Sequence, residues 1–416
     1  MTAAQNDPEN ALPPVTSGQL QQLAVGLREH SGFVDVLTSL QQRHGGTIGG
    51  TWGAASSLAV AAIASARAKE QEGLVVVVVP HAVDADIFAD DLALFTSLGV
   101  DVLPALESID DLSADNETLI NDPAEAKRLA NVKRLVAYSD ESPRILVTSM
   151  QAVLTPLPDP RQIEESTRHI TLGAQVDPQE LAEWLTFRGW KQVDTLDSPG
   201  SFARRGGIID LFASDWERPV RLELNDDEID SLRTFDTVSQ RSIQSLDSVD
   251  LTALQSVSKN NRRAWLTDIV PSGTWWSLIE PQELLDEGKR LATILPSEHV
   301  LQSEEFLARV YRFPSVILSA IAPTSLETTA HLAVESVERF TGQLDRVCHE
   351  LDTVGKDQAV WIVTPTEAEE QRLSELLSPS IPAQAGRLHF IQGRLSAGFR
   401  LVPEKLVLIS AAELFR

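Results

Sequence analysis

The first 160 residues alternate between short apolar runs and segments with helical periodicity. Apolar runs typical of buried strands cover Leu74–Pro80, Val100–Pro104 and Arg144–Met150. Between them, apolar residues recur at helical spacing over Asp84–Leu98 and Pro123–Tyr138. The first run contains five consecutive valines, a composition expected where both faces of a strand are buried. The alternation therefore predicts an α/β domain with a parallel sheet that helices cover on both faces.

A glycine-rich stretch, T-I-G-G-T-W-G-A-A-S-S at residues 47–57, precedes the first long helix of this domain. A strand, a glycine-rich turn and a helix in this order are the arrangement of a phosphate-binding loop. Such a loop needs a lysine for the terminal phosphates, and the next lysine along the chain is Lys69. Gly49, Gly50 and Gly53 are therefore predicted to form a structural turn, a degenerate loop that does not bind nucleotide. The alternative is an active P-loop ATPase.

Beyond residue 167 the pattern changes. Val176-Asp177-Pro178 is a favourable helix start, and Ile208–Phe212 is a short β-rich run. In the run Val220–Asn225, apolar residues alternate with polar ones, so one face of that strand is expected to be buried. Every basic residue from 201 to 250 is an arginine, and the planar arginine fork suits bidentate pairing with carboxylates. An inserted α+β domain is predicted, with either a protein-recognition face or ordinary internal ion pairs.

For the remainder of the chain, the pattern predicts a return to the first domain and then a small α/β domain. Strand-like segments at 294–300 and 314–320 accompany Trp275 and Trp276 in the returning part. A helix is predicted from Glu335 through Val347, followed by a strand at Ala359–Thr364 and a helix that ends at Leu377. Two short strands, at 388–391 and 406–409, complete the predicted small domain.

Composition limits the possible partners and the compartment. The formal net charge of −25 repels phosphate backbones, so weak intrinsic DNA binding is expected. The amino terminus has no charged segment followed by an apolar run, and the longest apolar run is far too short to cross a membrane. The single cysteine, Cys348, excludes an internal disulfide and a cysteine-based zinc site. A cytoplasmic protein without a membrane partner is expected.

No set of residues at the spacing of a nucleophile and base or of a metal site emerges from the sequence, so no catalytic residue and no metal ligand is predicted. Asp210 and Glu223 lie on neighbouring predicted strands, and Arg205 and Arg221 are expected to neutralise them. His389 stands alone in an apolar run and is expected to be a core or edge residue. The four aspartates of the helix at 84–98 are interpreted as its solvent-facing side: Asp84, Asp86, Asp90 and Asp91.

Several segments at fixed spacing carry a family resemblance. F-A-x-R-G-G-I-I-D-L-F at 202–212 is followed by P-V-R-L-E at 219–223, D-D-E-I-D-S-L-R-x-F-D at 226–236 and Q-R-S at 240–242. This set resembles the UvrB-homology module of bacterial transcription-repair coupling factors. At lower density the resemblance covers most of the chain, and it ends in S-A-G-F-R-L at 396–401 and L-V-L-I-S-A-A-E-L-F at 406–415.

The resemblance implies a degenerate helicase-like sheet domain that binds no cofactor and docks the repair protein UvrA through a second, inserted domain. By position in the family motifs, the arginines that contact UvrA match Arg205 and Arg221, and an aromatic that some members carry falls on Asn225. The family is also expected to hold an autoinhibited conformation through other domains of the full-length protein. That protein is expected to be an ATP-dependent DNA translocase that displaces stalled RNA polymerase. Contacts with DNA and the polymerase are expected from regions outside this chain.

The combined boundaries give five segments. They are a tail at 1–16, the first part of the helicase-like domain at 17–166, the UvrA-docking domain at 167–252, the return to the first domain at 253–325, and the small α/β domain at 326–416.

Overall fold

The computed structural model describes residues 18–68, 73–106, 122–139, 142, 144–253, 263–295, 300–321, 328–337, 340–343 and 346–415. The predicted tail at 1–16 lies outside these residues. Helices and strands alternate through the first 150 described positions, as the hydrophobic pattern predicts.

The helices in chain order are α1 (Gly18–Leu27), α2 (Ser31–Gln41), α3 (Ala55–Arg67), α4 (Ala82–Phe95), α5 (Pro123–Val136), α6 (Met150–Leu154), α7 (Pro160–Glu165), α8 (Pro178–Phe187), α9 (Leu266–Ile269), α10 (Pro281–Ile294), α11 (Ser303–Val310), α12 (Val347–Val354), α13 (Glu367–Leu377) and α14 (Ile381–Gln384). A short 3-10 helix covers Ala411–Phe415.

The strands in chain order are β1 (Gly46–Gly49), β2 (Val75–Val79), β3 (Val100–Leu103), β4 (Ile145–Ser149), β5 (Leu157–Pro158), β6 (Thr167–Thr171), β7 (Lys191–Gln192), β8 (Ser201–Arg205), β9 (Ile208–Phe212), β10 (Val220–Asn225), β11 (Glu228–Phe235), β12 (Ser242–Ser245), β13 (Ser248–Thr252), β14 (Arg263–Ala264), β15 (Trp275–Ile279), β16 (Ser315–Ser319), β17 (Thr328–His331), β18 (Val334–Ser336), β19 (Ala359–Thr364), β20 (Leu388–Gln392), β21 (Phe399–Leu401) and β22 (Leu406–Ser410).

Among the described residues, the largest sheet has seven strands in the order β17-β1-β16-β15-β2-β4-β3, and all its pairings are parallel. The valine strand β2 lies inside this sheet, and all five of its residues are buried. Its odd-numbered valines join the core under α3 and α4, whereas Val76 and Val78 join a second core under α5 and α10. Burial on both faces explains why that strand is apolar throughout, and the predicted parallel sheet covered on both sides is confirmed.

The second domain is built on a six-stranded sheet in the order β12-β11-β10-β9-β8-β7. Its entry strand β6 pairs antiparallel with its exit strand β13, so the chain enters and leaves this domain at one place. Helix α8 begins with Asp177 as N-cap, whose carboxylate accepts from the backbone N–H groups of Gln179 and Glu180. An ion pair of 2.6 Å joins Lys133 Nζ of α5 to Asp215 Oδ2 and connects this domain to the large sheet.

The third unit is a five-stranded mixed sheet in the order β18-β21-β22-β19-β20. Strands β19, β20 and β22 lie where the sequence predicts them, β18 and β21 were not predicted, and the helix predicted from Glu335 is wrong. Residues 334–336 form β18, which pairs with β21, and the helix begins only at Val347. Apolar residues such as Val334 and Val337 are spaced equally well for a short strand followed by irregular backbone, and pairing with β21 decides between the two.

Two further elements differ from the sequence interpretation. Ile294 is the last residue of α10, so the run at 294–300 begins in a helix, and its residues 296–299 lie outside the described chain. Strand β17 at 328–331 pairs with β1 in the large sheet, although it falls within the segment assigned to the small domain. The division into domains as a whole stays a prediction.

The small domain packs directly on the large one through helix α4, which corrects the interpretation of Asp91 as a solvent-facing residue. Asp91 is only 3% exposed, and its carboxylate accepts from the backbone N–H of Ser396 at 2.7 Å and from the Ser396 hydroxyl at 2.5 Å. Burial raises the pKa of Asp91 to about 6, although both hydrogen bonds from Ser396 favour the ionised form. The side chains of Phe95 and Phe399 lie beside this contact, with ring centroids 6.2 Å apart.

The buried carboxyl of Asp91 predicts a specific pH dependence of stability. A pKa raised in the folded state contributes stability that is present at low pH and lost as pH rises through about 6. Asp91→Asn removes this titration and keeps the shape of the side chain. Urea unfolding of both proteins should show the wild type gaining roughly 1 kcal/mol relative to Asp91→Asn between pH 7 and pH 5. Asp86→Asn, at an exposed position of the same helix, is the control. The wild type should show no such gain relative to Asp86→Asn, because both proteins retain Asp91. An unchanged difference between wild type and Asp91→Asn would contradict the buried titration.

Candidate docking face

The register of the six-stranded sheet decides which arginines share a face. Residues directly opposite each other in antiparallel strands point to the same side. In one row across β8, β9 and β10, Ile208 lies opposite both Arg205 and Glu223. In the next row, Asp210 lies opposite both Ala203 and Arg221. The candidate site is therefore one face of this sheet, and we call the set Arg205, Ile208, Arg221, Glu223 and Asn225 the docking face.

The opposite face of the sheet is the core of the domain. Phe202, Ile209, Leu211, Val220 and Leu222 are buried there against α8. The alternation of apolar and polar residues in β10 thus has the predicted consequence, since its apolar residues build the core and its polar residues point outward.

Arg221 is held firmly in the docking face. Its Nε and one terminal nitrogen donate to the two carboxylate oxygens of Asp210 at 2.7 and 2.8 Å, and the same terminal nitrogen donates to Gln240 Oε1 at 2.9 Å. The guanidinium also lies 4.4 Å from the centroid of the Phe235 ring. The hydrogen bonds to Asp210 raise the pKa of Arg221, so its guanidinium stays charged. Side-chain exposure is 18% for Arg221 and 13% for Asp210, which leaves only one edge of the guanidinium for a partner.

Arg205 is more accessible than Arg221 and forms no ion pair within the described chain. It lies at the end of β8, where its guanidinium donates to the backbone oxygen of Asp194 and to the Thr195 hydroxyl, the latter at 3.1 Å. Both acceptors are uncharged, so the positive charge of Arg205 is not neutralised by them. Of the two arginines expected at this site, Arg205 carries the charge that a partner carboxylate can reach.

Glu223 has a different partner from the one expected. Arg233 of the neighbouring strand β11 forms its ion pair, whereas Arg205 does not. The expected neutralisation of Asp210 by Arg221 is confirmed, and the expectation for Glu223 is wrong in its partner. The cause is register: Arg233 lies opposite Arg221 and is therefore the diagonal neighbour of Glu223, whereas Ile208 lies between Glu223 and Arg205.

Ile208 is a member of the face that the sequence interpretation missed. It is directly opposite both Arg205 and Glu223 and is 37% exposed. An apolar side chain between charged ones is a common centre for a protein contact. The sequence signal was the I-I pair at 208–209, of which only one member can point into the core.

Asn225 is exposed at the last position of β10 and is paired with Glu228. The turn that follows places Asp226 in the left-handed region at φ 55°. Asn225 therefore lies at the tip of the β10–β11 hairpin, on the side shared with Arg221 and Glu223.

The glycine-rich turn lies at the carboxyl edge of the large sheet, directly after β1. Gly50 and Gly53 have φ values of 77° and 55°, which glycine adopts without steric cost. The predicted strand, turn and helix at 47–67 are present, and α3 begins at Ala55. Lys69, the first lysine after the turn, lies outside the described residues.

The mouth of this turn is filled by the small domain. The backbone N–H of Ala54, at the start of α3, donates to the carbonyl oxygen of Ala397 at 3.2 Å. A side chain at Gly53 would meet that same oxygen at 3.0 Å and the carbonyl oxygen of Gly398 at 3.1 Å. In a phosphate-binding loop, N–H groups at this place point at the phosphates. Here a peptide carbonyl from the S-A-G-F segment takes that position.

Two further findings concern the other candidate chemistry. Within the described residues, no group of histidine, cysteine, aspartate and glutamate is arranged to hold a metal ion. His389 lies on β20, the edge strand of the small sheet, and its ring centroid is 5.0 Å from that of Trp361. Partial burial lowers the pKa of His389, so its imidazole is expected to be neutral at physiological pH.

Comparison with known proteins identifies similar domains and relatives. The family model of the UvrB interaction domain matches residues 169–256, the segment that contains the docking face. The transcription-repair-coupling factor of Bacillus subtilis (strain 168) is 24% identical over 440 residues, which cover 85% of this chain and 37% of that protein. Transcription-repair-coupling factors of Staphylococcus aureus strains MRSA252 and RF122 / ET3-1 are also 24% identical, over 332 residues that cover 59% of this chain and 28% of each relative.

The chain therefore spans little more than a third of the length of its Bacillus relative. Among the helices that the structure describes, none combines the length and apolar character needed to cross a membrane. The chain thus matches the UvrB interaction domain over residues 169–256 and is similar, over most of its length, to part of the transcription-repair-coupling factors.

Proposed function

We propose that this chain recruits nucleotide excision repair by binding UvrA through the docking face. The observation that carries the proposal is the position of Arg205 and Arg221 on one face of a domain that matches the UvrB interaction domain. Asn225 shares this face but offers only a short amide, so it is expected to contribute less than the two arginines.

The two arginines differ in what they offer UvrA. Arg205 has no carboxylate partner in the described chain and can pair with one from UvrA. Arg221 is already neutralised by Asp210 and supported by Gln240 and Phe235, so it presents a fixed edge with little conformational entropy left to lose. Ile208 lies between them and supplies the apolar centre. A rigid, partly neutralised face of this kind favours specificity over strong long-range attraction.

The wider role is proposed from the similarity to the transcription-repair-coupling factors. We propose that the full-length protein is an ATP-dependent DNA translocase that displaces RNA polymerase stalled at lesions, with its motor outside this chain. The present portion then acts as recruiter and helps to hold an autoinhibited state through contacts with other domains. A rival function, that of a UvrB-like ATPase, is disfavoured by the missing lysine and by the Ala397 carbonyl at the start of α3.

The chain is expected neither to bind nor to hydrolyse Mg-ATP, because the turn has no lysine and its first helical N–H group is already bonded. Isothermal titration and thermal unfolding with millimolar Mg-ATP would measure this. A ligand at a hundred times its Kd stabilises a protein by about 2.7 kcal/mol, so binding would be evident as a raised Tm. Micromolar affinity for Mg-ATP that is lost in Gly53→Val would contradict this expectation and support the rival function of a UvrB-like ATPase.

The isolated chain is expected to bind duplex DNA weakly, because the net charge of −25 opposes the phosphate backbone. Electrophoretic shift or fluorescence anisotropy at several salt concentrations would measure the affinity. Any binding should decrease steeply with salt. Submicromolar affinity at physiological ionic strength would contradict this expectation.

Charge reversal at Arg205 is expected to abolish capture of UvrA. Truncation of an arginine at a desolvated interface costs roughly 2–5 kcal/mol, which includes the partner charge left unpaired. Arg205→Glu should therefore weaken UvrA binding by at least about thirtyfold, with little change in thermal unfolding because Arg205 forms no internal ion pair in the described chain. Arg204→Glu is the matched control. Arg204 is the adjacent residue, but it lies on the opposite face of β8, beside Gln179.

Arg221 requires a different design, because its removal leaves Asp210 unpaired in a half-buried place. Arg221→Ala alone is expected to lower stability, and the double variant Asp210→Ala with Arg221→Ala should recover part of it. If Arg221 also contacts UvrA, the double variant folds stably and still binds UvrA more weakly than wild type. Normal UvrA binding by Arg205→Glu and by the double variant would show that this face is not the docking site.

A further inference from the structure

A second charged feature lies far from the docking face, at the amino edge of the large parallel sheet. Strands β1, β16 and β15 are neighbours there, and the residues just before them form one groove of about 680 Å³. Arg43 precedes β1, Arg312 precedes β16 and Ser272 precedes β15. The apolar part of the lining is supplied by Val270, Ala308 and Phe313. We call this feature the arginine groove.

The groove contains more positive than negative charge in a strongly acidic chain. Its lining has three arginines and two carboxylates, Asp268 and Glu305. Both carboxylates pair with Arg309, at 3.3 and 2.7 Å. Arg312 is exposed and has no side-chain partner within the described residues. Arg43 donates only to a carbonyl, that of Ser272 at 3.2 Å. Two guanidinium groups therefore remain without a carboxylate partner in the described chain.

The backbone at Arg43 is a second, independent observation. Helix α2 ends in a Schellman arrangement, in which Arg43 N–H donates to Leu40 O at 3.0 Å and His44 N–H donates to Ser39 O at 2.9 Å. Arg43 occupies the left-handed position of this motif at φ 65°, where glycine is strongly favoured. An arginine there has a conformational cost, and residues held in such conformations are enriched at functional sites. The sequence supplies Gly45 and Gly46 immediately afterwards, yet this position is arginine.

We propose that the arginine groove binds an acidic segment of a partner polypeptide. Arg43 and Arg312 pair with two of its carboxylates, and Val270, Ala308 and Phe313 contact an apolar side chain between them. Arginine forks match carboxylate geometry, and the apolar wall suits a peptide side chain. A nucleic acid is disfavoured because its continuous phosphate charge would face the field of a chain with net charge −25. This binding is separate from the capture of UvrA, because the groove and the docking face lie in different domains.

The test uses the whole chain and a fluorescein-labelled hexapeptide, Glu-Glu-Leu-Glu-Glu-Leu, at about 0.15 M salt, where the repulsive field of the acidic chain is screened beyond roughly 8 Å. Fluorescence anisotropy should show a Kd of roughly 0.1–1 mM, the affinity expected of a short and flexible ligand with two charged contacts. Arg312→Glu should weaken binding at least about tenfold. Arg43→Gly should weaken it similarly while the Tm stays equal or rises, because glycine is the preferred residue at φ 65°. Loss of binding without loss of stability separates a ligand site from a structural arginine.

Matched controls decide the remaining outcomes. Arg372→Glu makes the same charge change at an exposed position of α13 and should bind the peptide as wild type does. The amide peptide Gln-Gln-Leu-Gln-Gln-Leu should not bind measurably. The proposal is overturned if the acidic peptide fails to bind below millimolar concentration, or if Arg43→Gly, Arg312→Glu and Arg372→Glu bind it equally. Equal or tighter binding of labelled hexathymidylate, with the same dependence on Arg43 and Arg312, would instead assign the groove to nucleic acid and also overturn the proposal.

Discussion

Burial of both faces of the seven-stranded parallel sheet is the constraint on which the rest of the structure depends. Parallel strands cannot leave a face in solvent, so α3 and α4 cover one side and α5 and α10 the other. The core under α3 and α4 continues into the small domain through residues such as Phe399 and Leu408. One face of the small domain's sheet therefore shares this core, whereas its other face packs on α12 and α13 in a separate core. Its S-A-G-F segment lies at the start of α3. The docking domain, in contrast, has a core of its own and contacts the large sheet through polar groups such as the Lys133–Asp215 pair.

This packing explains why the glycine-rich turn after β1 contacts the small domain. The turn keeps its left-handed glycines because strand β1 must still pass into α3 within a few residues. The turn itself has no lysine, and the backbone N–H group of Ala54 at the start of α3 needs an acceptor. The carbonyl of Ala397 satisfies it, and Asp91 and Ser396 hold that segment in place. A turn with the glycines of a phosphate-binding loop thus serves as a contact between the large sheet and the small domain.

The sequence predicts most of the fold and only part of the candidate site. Strands β2, β9 and β10 follow from hydrophobic periodicity alone, because each has to match one or two buried faces. Asp91 could not be placed, since its burial depends on Ser396, which lies 305 positions away. The helix predicted at Glu335 failed because pairing with β21 outweighs the local pattern. At the docking face, the arginines follow from the family motif, whereas Gln240, Phe235 and the pairing of Glu223 with Arg233 depend on strand register.

The distribution of charge links the docking face to the arginine groove. In a chain of net charge −25, nearby carboxylates neutralise some of the arginines, as Asp210 does Arg221 and Glu223 does Arg233. An arginine without a carboxylate partner keeps a local positive potential, because its own surroundings do not neutralise its charge. Arg205 on one domain, and Arg43 and Arg312 on another, pair with no carboxylate of the described chain. Under the two proposals, an acidic surface selects short carboxylate-bearing contacts through arginines that lack a carboxylate partner in the described chain, and it still repels nucleic acid. Selection by local pairing within a repulsive overall field is the electrostatic principle common to both sites.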